Sequence, residues 1–361
     1  MKINFIDLKK QYNNYKKELD KAIADVVVSG AYINGPDVKE LEKELAAFCG
    51  CEYAVTVSSG TAAIQVALLT LGLKPGDEVI TSPFTFFATA EIPAVMGAVP
   101  VFVDINEATY NLNPDLVEAG ITSRTKAIIP VSIFGQCPDM DRINRIAARH
   151  NIPVIEDAAQ SFGAYYKDKR SCNLSELACT SFYPAKPLGT YGDGGAVFTN
   201  NSKLKDLLVS LRNHGQGAKY AHKHIGLNAR LSTIQAAVLR VKLKHYEAEI
   251  KQRKTVAERY NSLLKDKEVV IPFISEGHTS VYAQYSIRVK NRDQLMQKLR
   301  DNGVPTAIHY PMPVYKQEAF SWLDIEPDNF PVTEKVCGEI LSLPMSPYLT
   351  EEEQQYIVSL M

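Results

Sequence analysis

Thr180-Ser181-Phe182-Tyr183-Pro184-Ala185-Lys186-Pro187-Leu188-Gly189-Thr190-Tyr191-Gly192-Asp193-Gly194-Gly195 is the stretch on which the reading of this chain turns. From Leu177 to Gly192, Lys186 is the only charged residue, set between two prolines among aromatics and glycines. Such surroundings disfavour the charged ammonium, so the lysine pKa falls; a partly neutral lysine is a nucleophile able to form a Schiff base. A loop lysine reaching out to water is the plainer alternative. The glycines that follow do not form G-x-G-x-x-G and precede a strand rather than a helix, and no GxxxxGK[ST] occurs. A nucleotide-binding Rossmann or P-loop reading is therefore unsupported.

Short strand-like runs lie on either side. They are Tyr53–Val57, Glu78–Thr81, Val99–Asp104, Lys126–Val131, Ile152–Glu156, Cys179–Tyr183 and Ala196–Thr199. Most are apolar at successive positions, as strands buried on both faces are. Helical patterns separate them at Thr61–Leu71, Phe87–Met96, Met140–His150 and Lys203–Arg212, which predicts βαβ units and a largely parallel sheet. After about residue 230 the texture changes. Two long helices are expected (Leu231–His245 and Glu247–Leu264), then strands at Val269–Ile274 and Tyr282–Val289, a helix at Arg292–Asn302 and a strand at Thr306–His309. This divides the chain into a large unit, 1–240, and a small α+β unit, 241–361.

Ligands of such sheets sit at the carboxyl ends of strands. After Tyr53–Val57 comes Ser58-Ser59-Gly60-Thr61-Ala62, small residues opening a helix whose free N–H groups suit a phosphate, or simply an N-cap. Ile152–Ile155 leads into Glu156-Asp157-Ala158-Ala159-Gln160, where a buried carboxylate needs a cation or several donors; capping a helix is the plainer role. A phosphate cradle, a Schiff-base lysine and an acid together are what pyridoxal phosphate requires, the acid keeping the pyridine nitrogen protonated. Gly60-Thr61, Lys186 and Asp157 supply one of each.

The balance of 40 Lys+Arg against 41 Asp+Glu gives a net charge of −1, which predicts neither nucleic acid nor an anionic membrane as partner. With 45% hydrophobic and 22% charged residues among 361, disorder and coiled coil are excluded as whole-chain readings. The N-terminus shows no apolar secretory region, and runs such as Ala62–Leu73 are too short to span a bilayer. Six scattered cysteines without CxxC or metal-ligand spacing predict reduced thiols in a cytoplasmic protein with no metal.

Several motifs resemble the DegT/DnrJ/EryC1/StrS family of nucleotide-sugar aminotransferases. They are Ser59-Gly60-Thr61, Pro83-Phe84-Thr85-Phe86, Glu156-Asp157-Ala158-Ala159-Gln160, Ser181 through Gly189, and Gly192-Asp193-Gly194-Gly195-Ala196. The likeness runs from Phe5-Ile6-Asp7-Leu8 to Leu343-Pro344-Met345. It implies an α/β aspartate-aminotransferase-like fold (PLP fold type I), with a mostly parallel seven-stranded sheet in the large domain and a smaller α+β C-terminal domain. It also implies a homodimer with shared active sites, using pyridoxal 5'-phosphate (PLP/PMP).

By that resemblance Lys186 is the Schiff-base lysine and the proton carrier, and Asp157 is the partner of the pyridine nitrogen. Ser181 and the N–H groups at Gly60, Thr61 and Ala62 hold the phosphate. Relatives often carry Asp where Ala62 stands, but a backbone donor survives that change. Phe86 stacks on the ring, Gln160 contacts its hydroxyl side, and Asn228 reaches the phosphate of the other subunit. Pro130 through Cys137, Lys169 through Leu174 and Ser280 through Gln284 resemble the branch that aminates UDP-2-acetamido-2-deoxy-3-oxo-glucuronate for lipopolysaccharide O-antigen. The uronate carboxylate then falls to Arg230 and His309, with Tyr310 beside them, and the sugar diphosphate to the basic stretch Lys219, His222, Lys223 and His224. L-glutamate is the implied amino donor. A 4-keto-6-deoxy-sugar aminotransferase and a cofactor-binding regulator are the alternatives. A dehydratase on the same fold would carry histidine in place of Lys186.

Overall fold

The computed structural model describes residues 3–361. The chain opens with α1 (Leu8–Ser29) and α2 (Pro36–Cys49). There follow β1 (Tyr53–Val57), α3 (Gly60–Thr70), β2 (Glu78–Thr81), α4 (Ala88–Val95), β3 (Val99–Phe102), α5 (Pro114–Val117), β4 (Thr125–Ile129), α6 (Met140–Arg149) and β5 (Ile155–Asp157). A small hairpin, β6 (Tyr165–Tyr166) and β7 (Lys169–Arg170), precedes β8 (Leu177–Ser181), β9 (Gly195–Thr199) and α7 (Ser202–Leu211). A second, exposed hairpin is built from β10 (Gln216–Ala218) and β11 (Ala221–His222).

Strands β1-β9-β8-β5 form one ladder and β3-β2-β4 another. Isolated parallel bridges, Ile128–Val154 and Val131–Asp157, join the two between β4 and β5. All pairings are parallel except those of β9, which runs antiparallel to both β1 and β8, so the sheet is mixed. The segment between β8 and β9 makes no helix, and a return without a crossover gives an antiparallel neighbour. That same segment carries Lys186.

Helix α3 is apolar nearly all round because it is buried nearly all round. Ala63, Ile64, Val66, Ala67 and Leu68 pack against Val55, Val57, Val79 and Val197 of the sheet.

Where two long helices were expected there is one, α8 (Thr233–Leu263), 31 residues long. Nothing in Lys244-His245-Tyr246-Glu247 could stop it, for no Gly or Pro stands there. Its first half (Leu239, Tyr246) belongs to the core under the sheet, with Leu41, Leu45, Phe162 and Phe198. Its second half (Val256, Ala257, Tyr260) belongs to a separate core with Ile3, Tyr285, Ile287, Leu341 and Leu343.

The remaining elements are β12 (Tyr285–Arg288), α9 (Arg292–Asp301), α10 (Pro331–Glu339), β13 (Ile340–Leu343) and α11 (Glu351–Ser359). The expected strands at Val269–Ile274 and Thr306–His309 reduce to single bridges, Val270–Arg288 and Ala307–Ser342. Strands β12 and β13 pair antiparallel with Ser286 opposite Ser342. By alternation Tyr285, Ile287, Leu341 and Leu343 enter the second core, while Ser286, Arg288, Ile340 and Ser342 take the other face. On that face Ile340 packs with Phe84, Tyr110 and Val131, sealing the small sheet to the large one.

Leu239 is fully buried. Leu239→Ala is expected to cost about 2–5 kcal/mol through lost burial and the cavity left behind. A urea titration reads this as a lower midpoint at unchanged slope.

Candidate active site

Three chain segments meet where β1, β8 and β9 come level. Val57 pairs with Gly195, and Gly195 with Ser181. Helix α3 starts against this line. A Cβ on Gly60 would lie 2.6 Å from the Ser181 Cβ, and one on Gly195 would lie 2.4 Å from the Ser59 carbonyl oxygen. Only glycine at both positions lets the helix N-terminus close onto Ser181. Ser59 caps the helix, its Oγ accepting from the Ala62 N–H at 3.0 Å. The N–H groups of Gly60 and Thr61 lie in the first turn, where a helix offers them no carbonyl. Together with the Ser181 hydroxyl they make an anion cradle, favoured by the helix dipole. Of the three amides expected there, that of Ala62 is engaged by its own cap.

Asp157 ends β5, one pairing line from β8, and is buried. Its Oδ2 accepts from Thr89 Oγ1 at 2.8 Å and its Oδ1 from the Ala159 N–H at 3.1 Å. Burial raises its pKa, while Thr89, Ala159 and the Lys186 charge pull it back. Thr85 Oγ1 lies 3.1 Å from Thr89 Oγ1 and extends the support. Glu156 points the opposite way, into the core, where Ser171 Oγ (2.6 Å) and the Cys172 N–H (3.0 Å) donate to it. Burial lifts its pKa to about 7. Of the adjacent carboxylates, Asp157 alone faces the site.

Lys186 is half-buried by surface area, yet its ammonium is desolvated enough to bring the pKa down to about 8, with Asp157 pulling the other way. Its Nζ has no hydrogen-bond partner among the described residues. The loop that carries it is pinned from α8. Gln235 accepts from Thr190 Oγ1 (2.6 Å) and the Tyr191 N–H (3.0 Å), and Lys242 Nζ donates to the Gly189 carbonyl at 2.7 Å. Lys242 is itself buried, sits 4.4 Å from the Tyr191 ring centre, and has its pKa lowered by burial to about 8.

His309 and Tyr310 stand on the side of the β12–β13 sheet, His309 Nδ1 lying 2.9 Å from Ser342 Oγ. The Lys186 charge adds to burial in lowering the His309 pKa to about 4, so the ring is neutral at pH 7. Of the two groups expected to meet a carboxylate, Arg230 is thus the one carrying charge. Burial and the Asp157 charge raise the Tyr310 pKa, and a hydrogen bond from Gln160 opposes them. The Tyr310 ring lies 6.2 Å from Phe84 and 6.5 Å from Phe86. Phe86 is 58% exposed, a large apolar face presented at the opening.

The other expected residues lie apart within one chain. Asn228 is exposed and bridges to Asn213, whose Oδ1 accepts from Arg230 Nη1 at 2.7 Å. The Ser58 N–H donates to the Ala229 carbonyl at 2.9 Å, which lays this strip along the start of α3. Lys219, His222 and Lys223 project on the exposed β10–β11 hairpin, with His222 Nδ1 2.8 Å from the His214 carbonyl. Thr89, Gln235 and Lys242 escaped the sequence reading. Thr85 and Thr89 were detectable as an i, i+4 pair; the α8 residues lie too far along the chain to show any local signal.

These residues fit pyridoxal phosphate: an unpaired, desolvated amine, a buried carboxylate with fixed donors, and a cradle that any Cβ would close.

A model of the DegT/DnrJ/EryC1/StrS aminotransferase family matches residues 13–361. The chain is 53% identical to the UDP-2-acetamido-2-deoxy-3-oxo-D-glucuronate aminotransferase of Pseudomonas aeruginosa, over 96% of each chain. A DegT DnrJ EryC1 StrS aminotransferase structure from Brucella abortus superimposes with a TM-score of 0.96 at 44% identity, covering 99% of this chain and 98% of that one. A Bacillus subtilis protein solved with bound cofactor PMP gives a TM-score of 0.91 at 31% identity, covering 99% and 84%.

Two outcomes are expected from this geometry. Lys186 has a lowered pKa in the fold, so the unfolded chain binds more protons between about pH 8 and its ordinary value near 10.5, and stability rises with pH across that window. In cofactor-free protein Lys186→Met should therefore raise the urea midpoint at pH 7, by an increment that shrinks toward pH 10.5. Thr89→Val removes a donor from buried Asp157 and is expected to weaken cofactor binding about tenfold, read by fluorescence titration.

Proposed function

Because the chain belongs to the DegT/DnrJ/EryC1/StrS aminotransferase family, we propose that it transfers the amino group of L-glutamate to the C3 ketone of UDP-2-acetamido-2-deoxy-3-oxo-glucuronate. The product is UDP-2-acetamido-3-amino-2,3-dideoxyglucuronate, for lipopolysaccharide O-antigen. The observation that carries the substrate assignment is the 53% identity to the Pseudomonas aeruginosa enzyme, and the desolvated Lys186 and the buried Asp157 of this chain suit it. Residues 1–240 form the cofactor-binding unit in this reading and 241–361 the small domain, with α8 crossing the boundary. The six scattered free cysteines support a reaction in the cytoplasm. No helix among the described residues is long and apolar enough to cross a membrane.

Pyridoxal phosphate, when bound, supplies an electrophilic carbon and a ring that draws off the electron pair released beside the nitrogen. The protein residues do the rest. Ser181 Oγ and the N–H groups of Gly60 and Thr61 bind the phosphate, with Ala62 close by. Asp157, held by Thr89 and Ala159, keeps a proton at the ring nitrogen. Gln160 and Phe86 would hold the ring. Lys186 Nζ would take up and return the proton of the transfer, and burial, which lowers its pKa to about 8, suits it to both at neutral pH.

A homodimer completes the site. Val28 is 88% exposed and Ile225 92% exposed in the single chain, apolar side chains that a second copy would cover. Ile225 lies three residues before Asn228, which in the dimer reaches the phosphate of the other subunit. Arg230, two residues further on, meets the uronate carboxylate as a charged donor, while neutral His309 and Tyr310 contribute hydrogen bonds. Lys219 and His222, with Lys223, face the diphosphate.

Product identification by mass spectrometry and NMR, with glutamate and a panel of 3-keto uronate and 4-keto-6-deoxy sugar nucleotides, tests the assignment. Amination of the 3-keto uronate is expected; turnover of the 4-keto sugar alone overturns it. Arg230→Ala is expected to raise the KM for the uronate about tenfold to a hundredfold and to leave a 6-deoxy sugar nearly unaffected. Neutralising Lys219 and Lys223 should raise the KM for the sugar nucleotide without changing that for glutamate.

A further inference from the structure

Behind His309 the small sheet carries two serines that the transfer reaction does not use. Ser286 and Ser342 are directly opposed across β12 and β13, both buried, on the face turned toward the large domain. Ser342 Oγ lies 2.9 Å from His309 Nδ1 and 2.8 Å from Ser286 Oγ. The imidazole is therefore tethered at Nδ1, which leaves Nε2 for whatever enters the site. Two hydrogen arrangements are open. Either Nδ1–H donates to Ser342, which donates to Ser286, or the chain runs the other way.

A cavity of about 20 Å³ decides between them. Tyr110, Gln136, Ser280, Gln284 and Ser286 line it along with aromatic side chains. Two of these lining residues carry a buried polar atom with no hydrogen-bond partner, Tyr110 at Oη and Gln284 at Oε1. The space holds about one water, and the walls offer the polar partners that a buried water requires. Tyr110 Oη is a donor that lacks an acceptor, and Gln284 Oε1 is an acceptor that lacks a donor. A water accepting from the first and donating to the second has one hydrogen left, and Ser286, which also lines the cavity, can accept it through Oγ. Ser286 then donates to Ser342 and Ser342 to His309 Nδ1. Every hydroxyl hydrogen in the chain finds an acceptor. In the reverse arrangement Ser286 turns its hydrogen on the water, and one hydrogen is left without an acceptor: the water's second one if Tyr110 donates to the water, or that of Tyr110 if Tyr110 Oη accepts from it.

We infer that this cavity is a one-water site, and that the water, Ser286 and Ser342 form a directional relay fixing His309 as its Nε2–H tautomer, a neutral donor aimed into the substrate pocket. The same water steadies Gln284, whose Nε2 lies 3.4 Å from Gln160 Oε1. One water thus positions two residues that approach the site from different domains. Ser286, Ser342 and Gln284 are positioning residues, for they touch neither cofactor nor substrate. The meaning of the Nε2–H donor for the sugar rests on the function proposed above; the water and the direction of the relay do not.

The test is the tautomer of His309 in the holoenzyme. The protein is labelled with ¹⁵N/¹³C-histidine, and the His309 resonance is identified by its loss in His309→Gln. At pH 7 the expected pattern is an unprotonated Nδ1 and a protonated Nε2. A protonated Nδ1, alone or together with Nε2, overturns the inference. In a kinetic arm, Ser342→Ala frees the ring and is expected to raise the KM for the keto sugar about tenfold while kcat changes less than threefold. An equal fall in kcat with KM unmoved overturns the positioning role. Should the keto uronate prove to be the wrong substrate, the tautomer measurement still stands, since it requires no sugar.

Discussion

Burial of a carboxylate and an amine in one site is the constraint on which the rest of the structure depends. Desolvation pushes Asp157 up and Lys186 down, and each is partly held in its charged form by the other. Neither group is stable there without support, so the surrounding architecture serves to satisfy them. Thr89 and the Ala159 amide hold the carboxylate. Gln235 and Lys242 hold the loop that presents the amine. The site keeps its charges poorly solvated, which is what a residue that must both accept and return a proton near neutral pH needs.

The second constraint is steric. The start of α3 lies close enough to β8 and β9 that Gly60 and Gly195 admit no side chain, and this closeness brings the free N–H groups of a helix onto the Ser181 hydroxyl. In the proposed reading, anion binding comes from backbone geometry at one point rather than from an excess of basic residues. That explains how a chain of net charge −1 accommodates a phosphate cofactor.

Much of the mixed sheet was legible because each of its strands announces itself as a short apolar run and each strand end carries its chemistry in adjacent residues. Lys186 stood out by the absence of other charge around it, and Asp157 by its place after Ile155. What the sequence hid is what depends on distant contacts. The antiparallel course of β9 follows from a loop that forms no helix, whereas the unbroken α8 was legible in the absence of Gly or Pro from Lys244 to Glu247. Lys242 and Gln235 reach the active loop from about fifty residues further along the chain, and periodicity along a helix does not say which buried polar group will find which carbonyl. The neutrality of His309 was likewise invisible, since it arises from burial and from the charge of Lys186 across the site.

Two desolvated lysines with similarly lowered pKa values meet at the same loop, Lys186 within it and Lys242 against it from α8, and the account requires that Lys186 be the residue that engages the cofactor. The direct measurement is to load the protein with pyridoxal phosphate, reduce it with borohydride and map the labelled peptide by mass spectrometry. A phosphopyridoxyl group on Lys186, with Lys242 unmodified, is the expected result. A label on Lys242, or no label on Lys186, would contradict the account.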